Sequence, residues 1–460
     1  MGYDVIIIGC GPAGIFTALE LMEYDVRVLM LDRGPDLDKR RCPANRGVSC
    51  IRCDPCLMLS GWGGAGAFSD GKLTLSPSVG GWLADYVGVK ELNELINYVD
   101  STYVKFGASE KLYGTDLDRI DEIHRKAALS GLKLVPVKIR HLGTEKCLEV
   151  LKAMRVKLNE KVEVKVNAEV ESLIIESGAV KGVKTANGEE FKGSYVVVAP
   201  GRSGAKWLKS EAQRLGLKTI NNPVDVGIRV EVPAPVFEGL SEVLYEPKFV
   251  FYSKSFDDKV RTFCFNPYGE VITEAYEDVI MVNGQSYADK KTHNSNFAVL
   301  VSTSFTEPFK DPIAYGMYLA RLANLISGGV IVQRLGDLKR GRRSTEERIG
   351  RSPVQPTLTT ATPGDLSFVL PYRYLSNILE MLQAMDQVAP GVYSDFTLLY
   401  GVEAKFYSSR LEVTNSLEVK GVKNLFTVGD GAGITRGLVQ ASASGVIAAR
   451  EILKRIGLKR

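Results

Sequence analysis

Four apolar positions in succession, Val5 to Ile8, open the chain as a fully buried strand would, and they run straight into glycines at 9, 11 and 14. The next stretch, "IFTALELMEYD", has helical character, and "VRVLMLD" at 26–32 reads as a second strand ending in Asp32. Further on, Val162, Val164 and Val166 alternate with Glu163 and Lys165, the mark of a half-buried strand. Asn187-Gly188 is a strong hairpin signal, and the apolar run Tyr195 to Ala199 breaks at Pro200-Gly201. A last apolar strand ends at Val428, meets Gly429-Asp430-Gly431 and gives way to a helix rich in Ala, Ser and Gly. Between about 216 and 400, alternating strands such as "VDVGIRVEV", "KVRTFCFNPYG" and "FAVLVSTSF" accompany one good helix, 312–326. That mixture suits a mixed sheet with helices on one face.

Strand, glycines and helix at the N-terminus together form a dinucleotide-binding pattern. Gly9 permits a tight turn, Gly11 lets backbone approach a pyrophosphate, and Gly14 lets helix and strand pack closely. With Pro12 and Ala13 these residues make the candidate phosphate turn, and the helix start offers unpaired N–H groups. Asp32, followed by Arg33, stands where an acid accepts hydrogen bonds from an adenosine ribose. No second strand–GxGxxG–helix occurs, so a separate nicotinamide domain is not expected, and NAD(P)H, if used, must visit a transient site.

The segment "VKNLFTVGDGAGITRGLVQASASGVIAAREIL" closely resembles the second FAD signature of glutathione-reductase-type flavoproteins. The resemblance implies FAD, with Asp430 at the ribityl and pyrophosphate region and the turn through Gly433, Ile434 and Gly437 starting a helix aimed at the flavin pyrimidine. Gly429, Gly431 and Gly201 are the accompanying backbone positions, and the loop with Gly63, Gly64, Ala65 and Gly66 is expected beneath the flavin. More widely, "CIRCDPC", "SGWGGAGAFSDGKL", "RHLGTEK", "VQRLGDLKRGRRST", "PTLTTATPGDLS" and "LLYGVEAKFYSSR" resemble a family of FAD-dependent dehydrogenases known as NAD(FAD)-utilising dehydrogenases. The expected architecture is α/β, a Rossmann-like FAD-binding domain assembled from 1–85, 140–215 and 400–460, a helical insertion at 86–139, and an α+β substrate domain with a mixed sheet at 216–399.

Between Asp32 and the glycine loop lie Cys42, Cys50, Cys53 and Cys56, flanked by Lys39, Arg40, Arg41, Arg46 and Arg52. Three readings stay open for these thiols: a [4Fe–4S] cluster, structural zinc, or a redox dithiol of Cys53 and Cys56. Cys147 and Cys264 fall at positions expected to be buried, and Cys10 sits inside the glycine turn.

Composition narrows the class. The 460 residues are 45% hydrophobic and 24% charged, an ordinary globular balance, and a net charge of +4 does not suggest a nucleic-acid partner. No apolar run reaches the roughly 20 residues of a spanning helix, and the first strand leaves no leader, so a cytoplasmic location and no membrane span are expected. A small-molecule substrate is expected, with the oligomeric state open. Chemistry singles out Arg436 after the C-terminal glycines, His141 in "IRHLGT", and Tyr407 beside Arg410 as catalytic candidates. The competing readings are an electron-transfer flavoprotein component working through a cysteine-bound cluster, and a flavin-free binding protein on the same scaffold.

Overall fold

The computed structural model describes residues 2–42, 53–220, 222–287, 290–303, 305 and 311–458. The chain divides into two compact units, one of residues 1–111, 140–222 and 408–460, the other of 112–139 and 223–407.

In the first unit the elements used below are β1 (Tyr3–Ile8), α1 (Pro12–Leu21), β2 (Val28–Leu31), α2 (Ala84–Lys105), α3 (Thr144–Leu158), β3 (Val162–Lys165), β4 (Val170–Glu176), β5 (Ala179–Thr185), β6 (Glu190–Val198), β7 (Leu425–Thr427) and α4 (Leu438–Arg455). Five strands run parallel in the order β3-β2-β1-β6-β7. An antiparallel meander, β4 and β5, continues from the near end of β6. The middle strands are buried on both faces, which is why Val5–Ile8, Val28–Leu31 and Val196–Val198 read as unbroken apolar runs. Helices α1 and α4 pack very closely. A Cβ on Gly445 would lie 2.1 Å from the Ala13 carbonyl oxygen, and Thr17 Oγ1 donates to the carbonyls of Ala13 and Gly445. The small residues of α4 are what make that approach sterically possible.

Residues 86–139, expected as one insertion, are divided between the units. Helix α2 buries Leu92, Leu95, Ile96, Val99 and Tyr103 in the core of the first unit, and the helix Leu117–Leu129 buries Ile120, Ile123 and Ala127 in the second. Each amphipathic face follows its own core.

The second unit holds an eight-stranded, almost wholly antiparallel sheet, with Val224–Pro233 flanked by Leu398–Lys405 and Asn294–Thr303. Val224, Val226, Ile228, Val230 and Val232 enter an apolar core shared with the helices Pro312–Ser327 and Tyr372–Met385. The alternate residues Asp225, Arg229 and Glu231 are buried too, as polar groups. Arg229 is fully enclosed, donating to both Glu403 oxygens at 2.8 Å and to Asn296 Oδ1 at 2.9 Å. The polar stretch 333–371 includes the short helices Leu335–Lys339 and Glu346–Gly350. Asp337 accepts from Arg342 and Ser344 at 2.8 Å, so the basic run at 339–345 is partly neutralised within the unit.

Candidate functional site: a glycine-lined flavin cradle

Four separate stretches of the first unit meet at the end of β1. Gly9 has φ +103°, and a Cβ there would lie 2.1 Å from the Ala199 carbonyl oxygen. A Cβ on Gly14 would lie 2.0 Å from the Gly9 carbonyl oxygen. Both glycines are therefore demanded by the protein's own packing. Gly11 is different. Its backbone is extended, with φ −82° and ψ −176°, and the nearest neighbour of an added Cβ is Gly64 Cα at 3.8 Å. Nothing in the polypeptide requires glycine there, whereas a ligand lying against the turn would. Pro12 begins α1 with no side-chain cap, so the first-turn N–H groups, Ala13 and Gly14 among them, are left to an outside acceptor.

The loop after Gly61 leans on this turn. Gly63 N–H donates to the Cys10 carbonyl at 2.8 Å, a Cβ on Gly64 would lie 3.0 Å from Gly11 Cα, and one on Gly66 would lie 2.6 Å from the Leu438 side chain. Ala65 sits within the same 3-10 turn, Gly64–Phe68. Trp62 anchors the loop, fully buried with Nε1 donating to the Leu151 carbonyl at 2.9 Å.

Asp32, expected to address a ribose, binds main chain with its carboxylate in this structure. Oδ2 accepts from Cys10 N–H at 2.8 Å, while Oδ1 accepts from Gly34 at 2.9 Å and Gly61 at 2.8 Å. A carboxylate has about four acceptor sites, so roughly one remains for a ligand hydroxyl. Arg33, half-buried, donates to Ser60 Oγ at 3.1 Å and pairs with Glu169 at 3.6 Å.

Arg40, seen in the sequence only as part of a basic flank, is buried in this loop. Its guanidinium donates to the carbonyls of Leu57, Met58, Trp62 and Gly64 and lies 4.7 Å from the centre of the Phe68 ring. Burial pushes its pKa down to about 10, opposed by Asp32 and Cys56, and it stays charged at neutral pH. Sequence alone gave no means of telling it from the exposed Lys39 and Arg41.

The C-terminal signature closes the cradle. A Cβ on Gly429 would lie 3.1 Å from Ala13 Cβ, and one on Gly431 would lie 2.1 Å from the carbonyl oxygen of Gly201. Asp430 accepts from Thr435 Oγ1 at 2.9 Å and from Gly437 N–H at 3.1 Å. Burial raises its pKa, and the Gly437 amide, Arg202, Thr435 and Arg436 pull the other way. Asp430 itself is partly exposed to solvent. Gly433, at φ +72°, passes under the Ser408 carbonyl. A stretch the sequence reading left aside, Gly80–Trp82, pairs with this signature. Trp82 N–H donates to the Ile434 carbonyl at 2.9 Å and Arg436 N–H to that of Gly80 at 2.6 Å. The visible clue was the glycine pair in "VGGW".

The catalytic candidates fall in both units, Arg436 and His141 in the first and Tyr407 in the second. Arg436 is half-buried and close enough to Asp430 to influence it. His141 lies beside the Asp70–Lys72 ion pair, and burial pushes its pKa down to about 4, with Asp70 opposing and Lys72 reinforcing the shift. At neutral pH it is an uncharged imidazole. Tyr407 belongs to the second unit, donating to Asp225 at 2.8 Å and accepting from Arg261 at 3.0 Å. Because His141 binds its proton less readily in the folded state than the ordinary 6.5, stability is expected to fall as pH drops from about 6.5 toward 4. The loss should approach ~3 kcal/mol. Urea unfolding of wild type and His141→Gln across that range checks this, because the variant should lose the slope.

Cys10 and Cys147 are buried; Cys42, Cys53, Cys56 and Cys264 are half-buried, all as free thiols. Cys264 is thus more open than its strand pattern suggested, at a positive-φ irregularity with φ +47°. Cys50, Arg46 and Arg52 lie outside the described residues. Among the described residues no three His, Cys, Asp or Glu side chains gather to hold a metal, which gives the iron–sulfur and zinc readings no support. Nor is any described helix long and apolar enough to cross a membrane.

Comparison with known proteins agrees with the cradle. Residues 2–41 match the FAD binding domain family, and residues 224–406 match the family described as FAD-dependent protein, C-terminal domain-like. Residues 355–459 match the glucose inhibited division protein A family. A Clostridium beijerinckii protein, described only as uncharacterized, is 29% identical over 98% of this chain and 81% of its own length. Among solved structures, glycine oxidase from Geobacillus kaustophilus is 13% identical, with 98% of this chain and 95% of that one covered and a TM-score of 0.39. L-proline dehydrogenase from P. horikoshii is 14% identical, with 99% and 94% covered and a TM-score of 0.41. The matched families are described as FAD-binding at the N-terminus and as FAD-dependent through residues 224–406.

Proposed function

We propose that this protein is an oxidoreductase that holds FAD in the cradle of the first unit, in the manner of glutathione-reductase-type flavoproteins, and acts on a small-molecule substrate in the cytoplasm. A nicotinamide would serve as a transient electron donor or acceptor. One observation carries the reading: the turn at Gly9–Gly14 and the turn at Gly429–Asp430, from opposite ends of the chain, lie so close that a Cβ on Gly429 would come within 3.1 Å of Ala13 Cβ. A shared wall of that kind suits one long nucleotide spanning both. When bound, FAD supplies reversible two-electron chemistry. The chain's part is to bind and orient. The start of α1 offers N–H groups and positive dipole to the pyrophosphate, Asp430 is pre-set by Thr435 and Gly437, and Arg436 puts a cation near the start of α4.

The test is anaerobic purification followed by absorbance spectra before and after NADH or NADPH. Flavin bands that bleach with one nicotinamide name the donor. Flavin that neither reduces would remove the nicotinamide from the scheme, and protein that takes up no FAD would remove the scheme itself.

A further inference from the structure

We propose that Arg40 is a positioning residue for flavin binding: by gathering carbonyl groups of the 57–64 loop onto one buried cation, it sets the face that this loop turns toward the nucleotide. The inference rests on the FAD reading above. Nε donates to the Leu57 carbonyl at 2.9 Å, Nη1 to Trp62 at 2.5 Å, and Nη2 to Met58 and Gly64, each at 2.9 Å. The side chain is 3% exposed, so water does not share the work. Among the described residues its hydrogen-bond acceptors are main-chain carbonyls.

Peptide planarity turns that collection into an orientation. In a trans peptide the N–H points opposite to the C=O. Carbonyls of Trp62 and Gly64 aimed at Arg40 therefore turn the N–H groups of Gly63 and Ala65 away from it. For Gly63 the destination is on view, the Cys10 carbonyl within the glycine turn at 2.8 Å. The same arrangement sets Gly64 against Gly11, the glycine left for a ligand. Only a planar fork with several fixed donors reaches acceptors spread over this loop; an ammonium would hold fewer of them and hold them less rigidly.

Apo-protein titrated with FAD, followed by flavin fluorescence and visible circular dichroism, tests the proposal on wild type, Arg40→Lys, Arg40→Met and Arg40→Ala. Arg40→Met should raise the Kd for FAD by about tenfold or more, with Arg40→Lys between it and wild type. Guanidinium ion at low millimolar concentration should restore much of the affinity of Arg40→Ala, and sodium ion at equal strength should not. A lowered apo Tm with Kd and circular dichroism unchanged would make the residue merely structural and overturn the proposal. Should Arg40→Met not fold, Arg40→Lys decides: a Kd equal to wild type overturns it. Wild-type protein that binds no FAD would instead overturn the flavin reading, an outcome separate from any difference among variants.

Discussion

Gly11→Ala is expected to fold normally and to lose its flavin. The backbone at this position is one any residue adopts, φ −82° with ψ −176°, and the added methyl would meet only Gly64 Cα at 3.8 Å. Folding should therefore be untouched, or slightly favoured through the unfolded chain. A ligand pyrophosphate pressed against the turn would meet that methyl, and the Kd for FAD should rise by about a hundredfold, ~2.7 kcal/mol. Gly9→Ala and Gly14→Ala should fail in the opposite order. Their methyls would sit 2.1 and 2.0 Å from carbonyl oxygens, and Gly9 in addition has φ +103°. These two should cost ~4 kcal/mol or more of stability whether or not flavin is present. Thermal melts of the apo-proteins beside FAD titrations separate the cases. Gly11→Ala binding FAD as wild type does would mean that the turn faces no ligand.

The same three glycines show how far the sequence could be read. Their expected roles come from spacing, because a strand, a tight turn and a helix leave few ways to place a pyrophosphate, whereas Gly429-Asp430-Gly431 was legible only through its resemblance to a flavoprotein signature. What spacing could not supply was partnership across the fold. Arg40 looked like one cation in a basic run, since burial among the carbonyls of Leu57 to Gly64 is a property of a loop's closure rather than of its composition. Nothing in the spacing of Gly80 and Gly81 pointed to their pairing with Ile434–Arg436. Residues 86–139 looked like one insertion because helical periodicity reveals an apolar face without saying which core receives it. The alternation of Val226, Ile228 and Val230 with Arg229 and Glu231 announced a strand, but a two-sided burial with a polar side depends on partners such as Glu403, far along the chain.

Asp32→Ala should unravel the cradle before any question of ribose recognition arises. Had the carboxylate served only a ligand hydroxyl, its loss would weaken FAD binding by an amount typical of one charged hydrogen bond, ~1.5–3 kcal/mol, and leave the apo-protein as stable as wild type. The observed bonding points elsewhere. Removing the carboxylate strands three main-chain donors, Cys10, Gly34 and Gly61, in a place where Asp32 is 8% exposed. At ~1–3 kcal/mol for each unsatisfied buried donor, the loss is on the order of 5 kcal/mol, comparable with the whole stability of many domains. Asp32→Asn refines the test, because the amide keeps the shape and one accepting oxygen. That oxygen can still serve Gly34 and Gly61, while its NH2 would confront the Cys10 N–H, donor against donor. The expected order of apo Tm is wild type above Asn above Ala, with FAD affinity falling in parallel because the turn and the loop part company. Apo melts of all three proteins that coincide, with only FAD affinity changed, would return Asp32 to the ribose and make its main-chain bonds incidental.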